Sequence, residues 1–211
     1  LYRLFRQLSE LNSTAVADTH KVLRSTILKF FFFFTKVQFE QLDKAREEKK
    51  KLTRAKNKVF SPLKTTFQRY ADVFGKLGFQ LDMSGQYVLP KSKNTAITDA
   101  FGKDKVLIGI APFAAYKSKI YPLEKMKEVI AKLVVHDKVQ VCLFGGGQSE
   151  TNLLQQLAAE FGTKVSSMAG VLSFEEELDM ISNLDIMVAM DSGNGHLAAN
   201  YGVQVITIWG V

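Results

Sequence analysis

The segment Asp191-Ser192-Gly193-Asn194-Gly195-His196 gathers a carboxylate, a hydroxyl, an imidazole and two glycines directly after the apolar run 184–190. These types in this order suit the binding of an anion. The glycines allow the backbone to approach a ligand closely, and the N–H groups that open a following helix favour a phosphate. Ser192 and His196 add side-chain donors. Taken alone, the turn fits equally well a plain helix start in which Asp191 or Ser192 caps and His196 packs against the helix. Lys119 is the second candidate, an ammonium on a long stem just ahead of a helix start at Pro122. Such a group tolerates variable diphosphate geometry, although Lys119 taken alone also reads as one more surface lysine of 116–119. Gly145-Gly146-Gly147, followed by Glu150, is the third group.

These residues need a scaffold that brings them together. From Lys105 onward, strand-like and helix-like runs alternate: strands at 105–110, 139–144, 164–166, 184–190 and 204–209, with helices at 122–136, 149–161, from Ser173, and after Asp191. Alternation of this kind implies βαβ units and a parallel sheet. Pro122 suits a first helical position, and Ser173-Phe174-Glu175-Glu176 is a capping-box pattern. The loops 112–121, 145–150, 168–173 and 191–196 then fall at the carboxyl ends of the strands, where open parallel sheets bind ligands.

The first half alternates less cleanly, with a helix at 1–10, a strand at 14–17, a helix at 21–30 and a strand at 36–39. Ser61-Pro62 is expected to open a long helix presenting Phe67, Tyr70, Ala71, Phe74 and Leu77 on one face, with Gly78 at its end. Residues 80–104 read as a linker. The expected organisation is a domain over 1–90, linker included, and a second over 91–211.

Asp-Ser-Gly-x-x-His-Leu-Ala-Ala-x-x-Gly over 191–202, followed by the apolar strand 205–210, resembles the signature of glycosyltransferase family 9, the heptosyltransferases of lipopolysaccharide core assembly. Residues 108–115 resemble the family's first donor-domain strand and loop. Lys119-Ile120-Tyr121-Pro122 resembles its Lys-x-Trp-Pro element, with tyrosine in the tryptophan position, and 141–147 resembles its second strand and glycine turn. The likeness is closest over 105–211 and looser over 1–80. It implies a GT-B-like α/β fold of two Rossmann-like domains with parallel sheets, the amino-terminal one incomplete.

The resemblance implies transfer of a heptose or related sugar from an ADP-sugar to a lipopolysaccharide core or similar glycan, with inversion. Lys119, Ser192, Gly193 and His196 would contact the diphosphate, Glu150 the ribose, and Asp191 sugar hydroxyls or neighbouring donors. His20 and Arg24, in a strand-end element ending Arg24-Ser25, would meet an anionic glycolipid acceptor. The family's catalytic base falls in an early loop ahead of Leu1, so Asp18 is not that residue by position, although it ends a predicted strand and could face the cleft. The catalytic group of this chain is therefore unassigned, and as a fragment it is expected to show negligible transfer. No cofactor and no metal is expected; the location implied is cytoplasmic with peripheral contact at the inner membrane.

Composition sets the remaining bounds. The 211 residues are 46% hydrophobic, enough for one large domain or two small ones. Cys142 is the one cysteine, so no disulfide can form within the chain. The apolar block 27–34 is far short of the ~20 residues that cross a bilayer. A start at Leu1 and an end just after a strand-like run lead us to expect a piece of a longer protein. Residues 1–104 hold 20 Lys and Arg against 10 Asp and Glu, whereas 105–211 hold 8 against 11, so the halves carry +10 and −3. The run 44–58 has eight basic and two acidic residues, which reads as a solvated helix face supported by a Glu47–Lys51 spacing, or as a surface for an anionic acceptor or membrane. Nucleic-acid binding is the rival reading of this run, but no nucleic-acid motif accompanies it and no such partner is expected. A sugar-nucleotide epimerase of similar fold, or a binding-only relative, is the third alternative.

Overall fold

The computed structural model describes residues 1–85 and 87–209. Gly210, part of the expected last strand, lies outside them. The chain forms two compact units, Leu1–Gln86 and Tyr87–Val211.

The first unit runs α1 (Tyr2–Glu10), β1 (Ala15–Asp18), α2 (Leu23–Phe32), β2 (Gln38–Gln41), α3 (Arg46–Thr53) and α4 (Thr66–Lys76). β1 and β2 pair in parallel, Ala15 opposite Gln38 and Asp18 opposite Gln41. α1 lies against α2 through aromatic contacts, with Phe5 5.0 Å from Phe32 and 5.4 Å from Phe31 between ring centroids. Part of the basic run, Arg46–Thr53, forms a largely exposed helix, α3, entered through Ala45 at φ 50°, while 54–58 is not helical. Among the described residues its ion pair is Glu48 with Arg69 of the following helix, at 3.9 Å, rather than Glu47 with Lys51.

For α4 one expectation fails and a second holds only in part, since Leu77 just after the helix is buried as expected. It starts at Thr66, four residues after Pro62, because Thr65 and Gln68 build a reciprocal cap: the Gln68 N–H donates to Thr65 Oγ1 and the Thr65 N–H to Gln68 Oε1. Its buried positions are Arg69 and Val73, while Phe67 and Tyr70 are exposed. The Arg69 guanidinium is tolerated inside because it donates to the carbonyls of Lys64 and Asp43.

The second unit contains α5 (Ala96–Asp99), β3 (Val106–Ala111), α6 (Leu123–Leu133), β4 (Val139–Leu143), α7 (Gly147–Ala159), β5 (Val165–Ser167), α8 (Phe174–Ser182), β6 (Ile186–Ala189), α9 (Gly193–Asn200) and β7 (Gln204–Thr207). The strands form one parallel sheet in the order β5-β4-β3-β6-β7, as the alternation implies. Each strand falls within two residues of its expected place. Pro122 is the residue before α6 rather than its first. The Ser173–Glu176 capping box is formed as read, Ser173 Oγ accepting from the Glu176 N–H.

Side chains alternate across the sheet, and its inner strands β3, β4 and β6 are covered on both faces, which is why they are mostly apolar, whereas the edge strand β7 is largely exposed. Ile108, Ile110, Val141 and Leu143 pack with Met126 and Ile130 of α6 and Leu154 and Leu157 of α7. Leu107, Ala111, Cys142 and Phe144 pack on the other face with Met180 and Ile181 of α8 and Ala198 of α9. Burial there pushes the Cys142 thiol up to about 12, so it is a core residue without nucleophilic character. Part of the expected linker is built into this unit: the Leu89 N–H donates to the Asn200 carbonyl, the Ser92 N–H to Ser182 Oγ, and Asn94 Nδ2 to Asp179.

Candidate functional site

β3 and β6 are neighbours in the sheet although α6, β4, α7, β5 and α8 separate them in sequence. The order in which strands are added therefore reverses at this point, and the loops leaving β3 and β6 part to open a crevice. A cleft of about 360 Å³ lies there, lined by Phe113 and Ala114 after β3, Phe144, Gly145, Gly146 and Glu150 after β4, and Asp191, Ser192, Gly193 and His196 after β6. Five of the six residues singled out for a donor thus share one cleft, and the sixth, Lys119, is ion-paired to Asp191 Oδ2. The loop 168–173, also at a strand end, is not among the lining segments. Its first residues, Met168 and Ala169, are buried, with the Met168 N–H donating to the Leu143 carbonyl.

Local chemistry explains each placement. Lys119 ends a short 3-10 turn, Lys117–Lys119, and its ammonium also stands 5.6 Å from the centre of the Tyr116 ring. The next residues are pinned to the segment that follows β6 and bears Asp191, since the Tyr121 N–H meets Met190 Sδ at 3.3 Å. His196 Nε2 is 3.8 Å from Asp191 Oδ1, with the imidazole largely in solvent. It does not pack as a helix-capping partner would. Ser192 is the residue before α9, yet its side chain makes no capping bond, and its buried Oγ has no hydrogen-bond partner among the described residues. A buried hydroxyl without a partner carries a desolvation cost of roughly 1–3 kcal/mol, which a ligand oxygen at this position would relieve. Asn194 Nδ2 donates to Glu177 Oε1 at 2.8 Å and so ties the first turn of α9 to α8.

The glycine turn is held from within. Glu150 Oε2 accepts from the Gly146 N–H at 2.8 Å. A Cβ on Gly145 would fall 2.7 Å from Leu154 Cδ1 and 3.1 Å from Glu150 Oε2, so a larger residue here would have to displace the buried Leu154 and crowd the carboxylate at the turn. Gly147 takes a φ of 76°, which favours glycine as well. Sequence reasoning singled out Glu150 and the glycines but missed this bond between them, and it missed Phe144 as the cleft's floor. The aromatic at the end of an apolar strand was the available signal for the latter.

His20 and Arg24 belong to the first unit, where both are exposed. Asp18, buried beside them, is occupied in holding the β1–α2 loop: Oδ1 accepts from the His20 and Lys21 N–H groups at 3.0 and 2.8 Å, and Oδ2 from Gln41 at 2.9 Å. Burial opposes ionisation, but hydrogen bonds from Ser25, Lys21, Gln41 and His20 outweigh it and hold the carboxyl below its ordinary value. A lowered carboxylate value stabilises the fold above the unfolded-state value of about 3.9 and is lost as pH falls through the folded one. Asp18→Asn is therefore expected to lose stability at neutral pH and to flatten the acid-side decline. Amide exchange of β1 and β2 between pH 6 and 3 measures this, and a decline as steep as in the unsubstituted chain would contradict it.

Among the described residues no group of three or more His, Cys, Asp and Glu side chains is placed to hold a metal ion, and no helix is long and apolar enough to cross a membrane. The fold is that of solved GT-B-like heptosyltransferases. Escherichia coli heptosyltransferase WaaC, solved with ADP, superposes with a TM-score of 0.64 at 21% identity, over 92% of this chain and 61% of that one. A family 9 glycosyltransferase from Veillonella parvula gives 0.68 at 16% identity, over 97% and 60%. A putative UDP-N-acetylglucosamine 2-epimerase from Listeria monocytogenes gives 0.52 at 12%, over 98% and 59%. The chain thus spans about three-fifths of the length of these relatives. No curated protein matches it. The model of glycosyltransferase family 9 (heptosyltransferase) matches residues 1–211 from end to end, and the chain belongs to that family.

Proposed function

We propose that the cleft of the second unit binds the nucleoside diphosphate of an activated sugar. The protein to which the chain belongs then transfers that sugar, a heptose or a close relative, to a hydroxyl of a lipopolysaccharide core or similar acidic glycan. The observation that carries this reading is the convergence of the Lys119 ammonium, the unpartnered Ser192 hydroxyl and the opening N–H groups of α9 beside one cleft. Those groups suit the charge of a departing diphosphate. ADP is the favoured nucleotide because it is the one solved with the WaaC relative.

In the inverting reaction a base takes the acceptor hydroxyl proton while the oxygen attacks the anomeric carbon. The bond from that carbon to the diphosphate oxygen breaks, and the negative charge moves onto the leaving ADP. Preorganised positive charge and dipoles at that oxygen lower the barrier. In this reading Lys119, Ser192, the Gly193 N–H and His196 take the diphosphate, and Asp191 orients Lys119 and His196. Glu150, with one oxygen committed to Gly146, offers the other to ribose. His20 and Arg24 on the first unit take the anionic acceptor.

Thermal unfolding with rising ADP tests the donor assignment, with UDP, GDP and a short oligonucleotide alongside. At about 100 times its dissociation constant ADP is expected to add roughly 2.7 kcal/mol. Stabilisation by ADP above the other nucleotides supports the reading. Stabilisation by the oligonucleotide alone overturns it in favour of the basic helix α3 as a nucleic-acid surface. Conversion of a sugar nucleotide without any acceptor would move the assignment to an epimerase.

A further inference from the structure

The first turn of α9 lacks the local devices that hold most helix starts. Its N-cap residue Ser192 makes no capping bond, and two of its first three residues, Gly193 and Gly195, are glycines, the poorest helix formers after proline. The N–H groups of Gly193, Asn194 and Gly195 also have no partner inside the helix. The far end is better secured, with Ala198 in the core and the Asn200 carbonyl accepting from the Leu89 N–H. Near the start, Gly195 passes close to β6, where an added Cβ would lie 3.1 Å from that of Ala189. This contact sets how near the turn lies to the sheet and leaves its rotation free. Among the described residues one side-chain hydrogen bond reaches the turn from another element: Asn194 Nδ2 donates to Glu177 Oε1 at 2.8 Å. Glu177 belongs to α8, which the Ser173–Glu176 box closes at one end and which Met180 and Ile181 anchor in the core.

We infer that Asn194 and Glu177 are a positioning pair: their bond replaces the missing cap, fixes the rotation of the first turn of α9, and so keeps Ser192 and the Gly193 N–H in place for a diphosphate. The inference rests on the donor reading proposed above and adds to it the part that holds the phosphate site in shape. Had Ser192 capped the helix, its hydroxyl would be engaged by a backbone N–H. Holding the turn from α8 instead leaves that hydroxyl without a partner and the opening N–H groups available to ligand oxygens. Asn194 lines the cleft and Glu177 does not, so Glu177 acts through the bond rather than on the ligand. A carboxylate acceptor makes that bond a charge-assisted one. Two simpler accounts give the opposite sign. By charge alone, removing Glu177 makes the surroundings of a diphosphate less negative and tightens its binding. By helix propensity alone, alanine at position 194 firms the turn. The positioning role requires weaker diphosphate binding from both changes.

Titration with ADP, and with adenosine as a ligand that has no phosphate, tests it. Glu177→Ala and Asn194→Ala are each expected to weaken ADP by about five- to twentyfold with adenosine unchanged, and the two together to weaken it no further than one alone. Glu177→Gln keeps an acceptor for Asn194 Nδ2 and should stay within about threefold of the unsubstituted chain. Without ligand, amide exchange at His196 and Leu197, whose N–H groups close the first turn of α9, should quicken in both alanine variants. ADP binding that Glu177→Ala leaves intact or tightens overturns the inference, as do losses that add in the double variant, an equal loss for adenosine, or unchanged exchange. Failure of the unsubstituted chain to bind ADP overturns the donor reading itself, and this role of the pair with it.

Discussion

Lys119→Ala is expected to weaken ADP binding by about 10- to 100-fold, the range of one charge-assisted hydrogen bond to a phosphate oxygen. The loss should exceed that of an ordinary surface lysine for two structural reasons. Lys119 is held in place by the Asp191 carboxylate and by the Tyr121–Met190 contact, so little ordering is left for the ligand to impose. Its removal also strands Asp191, which is mostly buried, leaving a carboxylate beside the incoming diphosphate. Titration calorimetry with ADP is the measurement, and Lys117→Ala, two residues away in the same turn, is the control. Equal affinities in the two variants would remove Lys119 from the site.

The largest loss of stability is expected from Phe144→Ala. Phe144 is 1% exposed at the end of β4, packed in the cluster with Met180, Ile181 and Met187, and it also lines the cleft. Deleting a buried phenyl ring costs about 3–5 kcal/mol, from lost transfer energy and from the cavity left behind. The backbone here cannot collapse into that cavity easily, because the Phe144 N–H is bound to the Ile110 carbonyl at 2.9 Å. Urea unfolding of the second unit should shift its midpoint with little change in slope, and Phe144→Leu should recover more than half of the loss. A shift worth less than about 1 kcal/mol would show that the ring is not a core element.

Much of this scaffold is legible in the sequence. β3, β4 and β6 are short apolar runs broken by glycines and polar turns, and a strand buried on both faces leaves just that trace. The Asp191 turn is legible for the same reason, since the end of an apolar run and the start of a helix bracket it. What was not legible has physical causes. Arg69 is buried by hydrogen bonds to carbonyls from two segments, and a face chosen by apolar spacing passes over it. The stretch after residue 86 reads as a linker because it is polar, but it joins the second unit through polar contacts with Ser182, Asp179 and Asn200, which leave no hydrophobic pattern. The pairing of Lys119 with Asp191 spans 72 residues and exists only once β3 and β6 lie side by side.

That pairing bears on how the site empties. An ammonium that rests on a carboxylate of its own protein has less to gain from any visitor than a bare one would, so in the proposed reading the cleft would hold each anion more loosely. Small monoanions gain least, because they compete with Asp191 charge for charge. A diphosphate, with more charge and several oxygens, competes better and still leaves more readily than from a naked cation, since the ion pair re-forms as it departs. In the proposed donor site Asp191 would thus serve as a built-in counterion that exchanges with the departing nucleotide, favouring turnover over tight retention of product.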